Sequence, residues 1–207
     1  LSLALPAYAA ESSNKELKAA SQYLNSHGIM VGDGEGNMNL SAPLTRAHLA
    51  TILARLHGGF GQVEEHRDFY TAQCQFQDVP DWARQYAGYC AYHGLMVGYG
   101  DGLFGAEDPV TPTAACTVIL RYLALPDLVW DYNSACSTAC NLGLSEPAMT
   151  AQGTISRGDL AVMLYRALTG NFQGTSAGAA GASVSISSYK GNILKAGTRS
   201  GLLVYTA

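Results

Sequence analysis

The chain has 207 residues, 48% of them hydrophobic and 14% charged, which excludes disorder throughout and leaves room for one good core and part of another. Its net charge is −4 with no run of Lys or Arg, so nothing attracts nucleic acid or an anionic membrane at long range, and neither is expected as a partner. No stretch reaches the roughly 18 consecutive apolar residues of a membrane span.

In chain order, Leu1 to Ala9 reads as the end of a secretory signal, apolar and then closing on Ala7-Tyr8-Ala9. That small-residue pattern precedes a cleavage site, so residues 1–9 are expected outside the fold and the mature protein is expected to start at Ala10. A helix is predicted from Glu11 to Leu24, ending at Gly28. A short apolar step, Ile29-Met30-Val31, leads to the turn Gly32-Asp33-Gly34, and Thr45 opens a second helix ending by Gly58. Thr before an apolar-periodic run is a helix N-cap, and Gly after a helix takes the left-handed conformation that ends it.

The pattern then recurs. Gly28 and Gly94, Gly32 and Gly98, and Thr45 and Thr111 are each separated by 66 residues, and one offset held across so many positions is an internal repeat. A third, worn copy runs through Asn141-Leu142-Gly143-Leu144 to Ile155-Ser156-Arg157. Its first helix is predicted from Trp130 to Leu142, and Ser156 with Asp159 has capping-box spacing. The repeats are placed at 10–60, 76–125 and 126–170, with a polar connection at 61–75. A Gly/Ala/Ser linker follows at 171–183, and two short strand-like runs at 184–207 read as the start of a truncated further domain.

The second repeat carries Phe76-Gln77-Asp78-Val79, Trp82, Gly94-Leu95 and Gly98-Tyr99-Gly100-Asp101-Gly102-Leu103-Phe104. With Thr45-Arg46-Ala47 opening a helix in the first repeat, this pattern resembles the S-layer homology repeat. The resemblance covers about residues 13 to 170. It implies an all-α module of three tandem helix–loop–helix repeats, pseudo-threefold and three-pronged, around a central three-helix bundle, with a short β-like tail. It also implies a monomeric module that anchors a secreted protein non-covalently to the bacterial wall, by binding an anionic, often pyruvylated, secondary cell wall polymer. Two wider readings stay open: a wall-anchored hydrolase with its catalytic domain beyond residue 207, and a structural S-layer lattice protein.

The arginines carry the sharpest site expectation. Arg46 and Arg157 occupy the first helical position behind Thr45 and Ser156, where a cation opposes the helix dipole at a cost of up to about 1 kcal/mol. Such rule-breaking residues gather at functional sites. The expectation is that the guanidinium and the free N–H groups of the helix start converge on one ligand carboxylate, and that alanine there costs binding and leaves stability nearly unchanged. A solvated arginine, or one paired with a neighbouring carboxylate, is the plain alternative. Trp82 and the loop residues Asp33, Gly34, Gly100, Asp101 and Gly102 complete the expected glycan site by family likeness. The second repeat has Pro112 in place of the arginine, which predicts a weak or dead groove.

Other signals are poorer. Asp33-Gly34-Glu35-Gly36-Asn37 starts like a calcium loop, but Met38 and Leu44 stand where Gly and Glu belong. The five cysteines read as small core residues or as one bridge and a remainder. His27 and His93 read as core or cap residues. No arrangement suggests a catalytic centre, a metal site or a cofactor.

Overall fold

The computed structural model describes residues 4–33, 35–58, 61–123 and 129–170. These fall into two compact units, one built from residues 4–44 and 109–170, the other from Thr45–Asp108. Both are helical, and no sheet occurs among the described residues. The strand-like runs expected at 184–207, the linker before them and Gly34 lie outside the described residues.

In the first unit α1 (Ala4–Ser26) packs on α9 (Arg157–Thr169) through Ala20 and Leu24, both fully buried, and through Tyr23, whose ring meets Tyr165 edge-on at 5.5 Å. The helix starts at Ala4, ahead of the predicted Glu11, and takes in residues 7–9. α6 (Pro112–Leu123) packs on α9 and on α7 (Ala135–Asn141), and a short α8 (Pro147–Thr150) stands where the third repeat lost its glycine turn. α7 is shorter than the predicted Trp130–Leu142. Asp131 and Ser134 form a closed turn instead, with the Ser134 N–H donating to Asp131 Oδ1 at 2.8 Å and the Asp131 N–H donating to Ser134 Oγ at 2.8 Å. Short polar side chains that bond their own backbone compete with the helix in this way.

In the second unit α2 (Arg46–Gly58) and α4 (Arg67–Gln73) both pack on α5 (Arg84–Tyr92), which follows a 3₁₀ turn at Asp81–Ala83. The connection expected at 61–75 is largely helical, as α3 (Gln62–Glu65) and α4. Its polar composition concealed three buried apolar residues, Val63 of α3, Tyr70 of α4 and Cys74 just after it. Gly88 lets α4 approach α5 closely: a Cβ there would collide with the Tyr70 carbonyl oxygen.

The three glycines that end the first helices, Gly28, Gly94 and Gly143, have φ of 67, 66 and 69°, as their positions required. Two arginines in the last turns of α2 and α9 are held by carboxylates. Arg166, buried, holds both oxygens of Glu16 at 2.7 Å and also Glu146. Arg55 holds Glu64 at 3.2 Å and the Tyr86 hydroxyl at 3.0 Å.

Leu44, Val110 and Ile155, just before Thr45, Thr111 and Ser156, are buried, and in the first unit these three residues close a hydrogen-bond ring. The N–H of Val110 donates to the Leu44 carbonyl at 2.8 Å, that of Leu44 to Ile155 at 3.0 Å, and that of Ile155 to Val110 at 2.9 Å. Three equivalent positions, one from each copy, thus satisfy one another's backbone with no sheet.

Two histidines of the second unit predict a pH-dependent stability. His57 and His93 lie with ring centroids 5.3 Å apart, and His57 Nδ1 is 2.8 Å from the Tyr89 hydroxyl. Burial pushes both imidazoles below their ordinary value, and the neighbouring His57 charge adds to this at His93. The unfolded chain therefore takes up protons first as pH falls below about 6.5, so stability is full above that value and declines below it. Thermal melts should show a lower midpoint at pH 5.5 than at pH 7.5, and His57→Gln should flatten that slope. Equal slopes in the two proteins would assign the effect elsewhere.

Candidate functional site

The starts of α2 and α9 are built alike. Ser156 caps α9 with a complete capping box, its Oγ accepting the Asp159 N–H at 3.0 Å, and Thr45 Oγ1 accepts the His48 N–H at 3.4 Å. The two preceding N–H groups find carbonyls in a glycine-rich loop of another repeat. Arg46 donates to Asp108 at 3.0 Å and Ala47 to Ala106 at 2.9 Å, while Arg157 donates to Ala42 at 3.0 Å and Gly158 to Leu40 at 2.7 Å. The first three N–H groups of each helix are therefore taken. This corrects the expectation of an anion nest there: the protein's own carbonyls and cap hydroxyls occupy it.

The guanidinium groups are engaged as well. Arg46 donates from Nε to the Phe104 carbonyl at 2.9 Å and from Nη2 to Val97 at 2.8 Å, and its central carbon lies 4.5 Å from the Tyr99 ring centroid and 4.9 Å from that of Phe104. Arg157 donates from Nε to Met38 at 3.1 Å and from Nη2 to Val31 at 3.1 Å. Val31 and Val97, like Met38 and Phe104, stand at the 66-residue offset, so one clasp is made twice. Burial lowers the Arg157 pKa, without threatening its charge. Pro112, at the third equivalent position, has neither an N–H nor a guanidinium to give.

The loop residues hold shape. Asp33 accepts N–H groups from Glu35 at 3.0 Å and Asn37 at 2.9 Å, and the Asn37 bond leads the causes that depress its carboxyl pKa. Asp101 sits at φ 51° in the Gly100–Leu103 turn, with Gly100 at 98° and Gly102 at 75°, and the Gly102 carbonyl accepts the Gln77 N–H at 2.9 Å. Sequence reasoning gave no role to Asp78. Its carboxylate accepts the Phe104 N–H at 2.7 Å and the Gly105 N–H at 2.6 Å. Burial alone would raise its pKa, but these bonds outweigh it and hold the carboxyl below its ordinary value. The signal was present in Phe76-Gln77-Asp78, as one acidic residue inside an apolar opening.

Among the described residues, an exposed aromatic and a groove offer surfaces to a ligand. In the second unit Trp82, 48% exposed, lies against His48 with centroids 5.4 Å apart and ring planes at 32°, and His48 Nδ1 is 2.9 Å from Thr45 Oγ1. Trp82 and Thr45 are thus brought together through His48, next in line to Arg46 and the exposed Tyr99. In the first unit a groove of about 580 Å³ is lined by Leu17, Asn37, Asn39, Met149, Ser156 and Asp159, among others. It is rich in amide and hydroxyl groups over an apolar floor, the usual dress of a sugar site. Among the described residues no group of three or more His, Cys, Asp and Glu side chains is arranged to hold a metal ion, and no helix is long and apolar enough to cross a membrane.

Comparison with known proteins places these features. Residues 76–111 match the S-layer homology domain. The chain is 34% identical over 143 residues to a cell surface protein of Thermoanaerobacter kivui, covering 68% of this chain and 18% of that protein. It is 29% identical over 150 residues to the middle cell wall protein of Brevibacillus brevis, covering 70% of this chain and 14% of that one. The chain thus spans less than a fifth of either relative.

Proposed function

From a chain that carries an S-layer homology domain and belongs at the bacterial cell surface or wall, we infer a non-catalytic anchor that holds a secreted protein to an anionic secondary cell wall polymer. The three repeats are read as pseudo-threefold copies of one unit. The Leu44–Ile155–Val110 ring within the first unit and the arginine clasp repeated in each unit support that reading.

The observation that carries the binding reading is the half-exposed Trp82, set against His48 beside the start of α2. An indole face offers a pyranose ring a flat apolar platform. Arg46 keeps Nη1 outside its clasp for a ligand carboxylate. Binding here therefore uses a side-chain cation and a platform, and needs no helix N-terminus. The groove of the first unit, beside Ser156 and Asp159, offers a sugar the amides of Asn37 and Asn39.

Calorimetry with polymer fragments tests the platform. Trp82→Ala should weaken binding by roughly 5- to 30-fold, equivalent to about 1–2 kcal/mol, with the melting temperature little changed because the side chain is half exposed. Unchanged affinity in Trp82→Ala would remove the second unit's surface from the binding site.

A further inference from the structure

The arginine clasp is made at the start of α2 and of α9 and is chemically impossible at the start of α6, where Pro112 stands. Three cysteines gather on that helix and its neighbour, all within the first unit. Cys116 of α6 is fully buried, on the helix against which α7 packs with Cys136. Cys136 Sγ also lies 3.5 Å from Thr113 Oγ1, on the same face of α6 one turn before Cys116. Cys140, one turn further along α7, faces Thr150 of α8 at 3.9 Å.

We propose that Cys116 and Cys136 form a disulfide in the protein at the cell surface, stapling the second helix of repeat two to the first helix of repeat three where the arginine clasp is missing. The pairing fits the burial pattern. Cys136 is only half buried and can meet an oxidant, while Cys116 is fully buried on the helix that α7 packs against. Cys140 is on the same helix as Cys136, and its side chain is directed to α8.

The oxidant is an extracytoplasmic disulfide carrier, either a dithiol–disulfide oxidoreductase or a low-molecular-weight disulfide. The Cys136 thiolate attacks one carrier sulfur, and the other leaves as a thiolate. Cys116 then loses its proton and attacks the Cys136 sulfur, displacing the remaining carrier sulfur. Two protein thiols become one disulfide, two electrons pass to the carrier disulfide, and it leaves as two thiols. Burial pushes the Cys116 thiol well up, so its thiolate is scarce once the helices have packed. The bond therefore closes while α7 is docking, before Cys116 is sealed.

The experiment uses the full exported chain, denatured and alkylated without reductant. Of the five cysteines, three should take the label, and tandem mass spectrometry should find residues 116 and 136 in one cross-linked species. Reductant should lower the melting temperature by roughly 5–10 °C, the range for a closed loop of this size, and the shift should vanish in Cys116→Ser and persist in Cys74→Ser. Labelling of all five thiols, or a link between any other pair, overturns the proposal. The mass measurement decides even if Cys116→Ser fails to fold.

Discussion

Replacing Arg46 and Arg157 together by alanine should lower the folding stability by roughly 3–6 kcal/mol, about 1.5–3 kcal/mol for each arginine, the range for hydrogen bonds to a charged group. Each guanidinium ties two loop carbonyls to a helix start, and its loss leaves them without a donor. The two clasps share no partner, so the effects should add. Position alone suggested the opposite, that removing a cation from a first turn relieves the dipole and spares stability. The dipole conflict amounts to a few tenths to about 1 kcal/mol, and two charged hydrogen bonds outweigh it. Denaturant titration of the single and double variants measures this. Arg46→Lys should recover little, because an ammonium cannot span two carbonyls as a planar fork does. If the double variant were as stable as the parent, the arginines would be surface residues and the clasp an incidental contact.

Phe104→Ala should cost about 3–5 kcal/mol, the range for emptying a buried aromatic site. Phe104 is fully buried, with its ring centroid 5.0 Å from that of Phe76 and its N–H held by Asp78. Its ring also backs the Arg46 guanidinium, so the variant loosens the loop that Arg46 grips. A cooperative melt with a lowered midpoint is the expected result. Phe104→Met, which installs the residue that repeat one carries at this position, should be milder. An alanine variant within 1 kcal/mol of the parent, well below the range for buried aromatics, would mean that the loop does not depend on this ring.

What was legible in the sequence was local or periodic. Gly28, Gly94 and Gly143 announced their left-handed backbone because few other residues adopt it cheaply. Thr45 and Ser156 announced their caps, and the 66-residue offset made each repeat evidence for the others. The helices in the connection at 61–75 were not legible for a physical reason: Val63, Tyr70 and Cys74 are too sparse among polar residues for a periodicity reading, and tertiary packing buries them. The arginines show the other limit. Their positions marked them as unusual, but the carbonyls they reach are 58 and 119 residues away, and no spacing rule connects a guanidinium to a main-chain oxygen in another repeat. Asp78 was likewise visible as part of a motif, while its role needed the Phe104 and Gly105 N–H groups brought beside it.

The reading of this chain as a wall anchor is tested most directly by co-sedimentation of the full chain with purified peptidoglycan sacculi, with and without their attached secondary polymer. The chain should pellet with polymer-bearing sacculi, and free polymer should release it. It should stay in the supernatant when the polymer has been removed. Equal pelleting with bare peptidoglycan, or no pelleting with either, would contradict polymer anchoring.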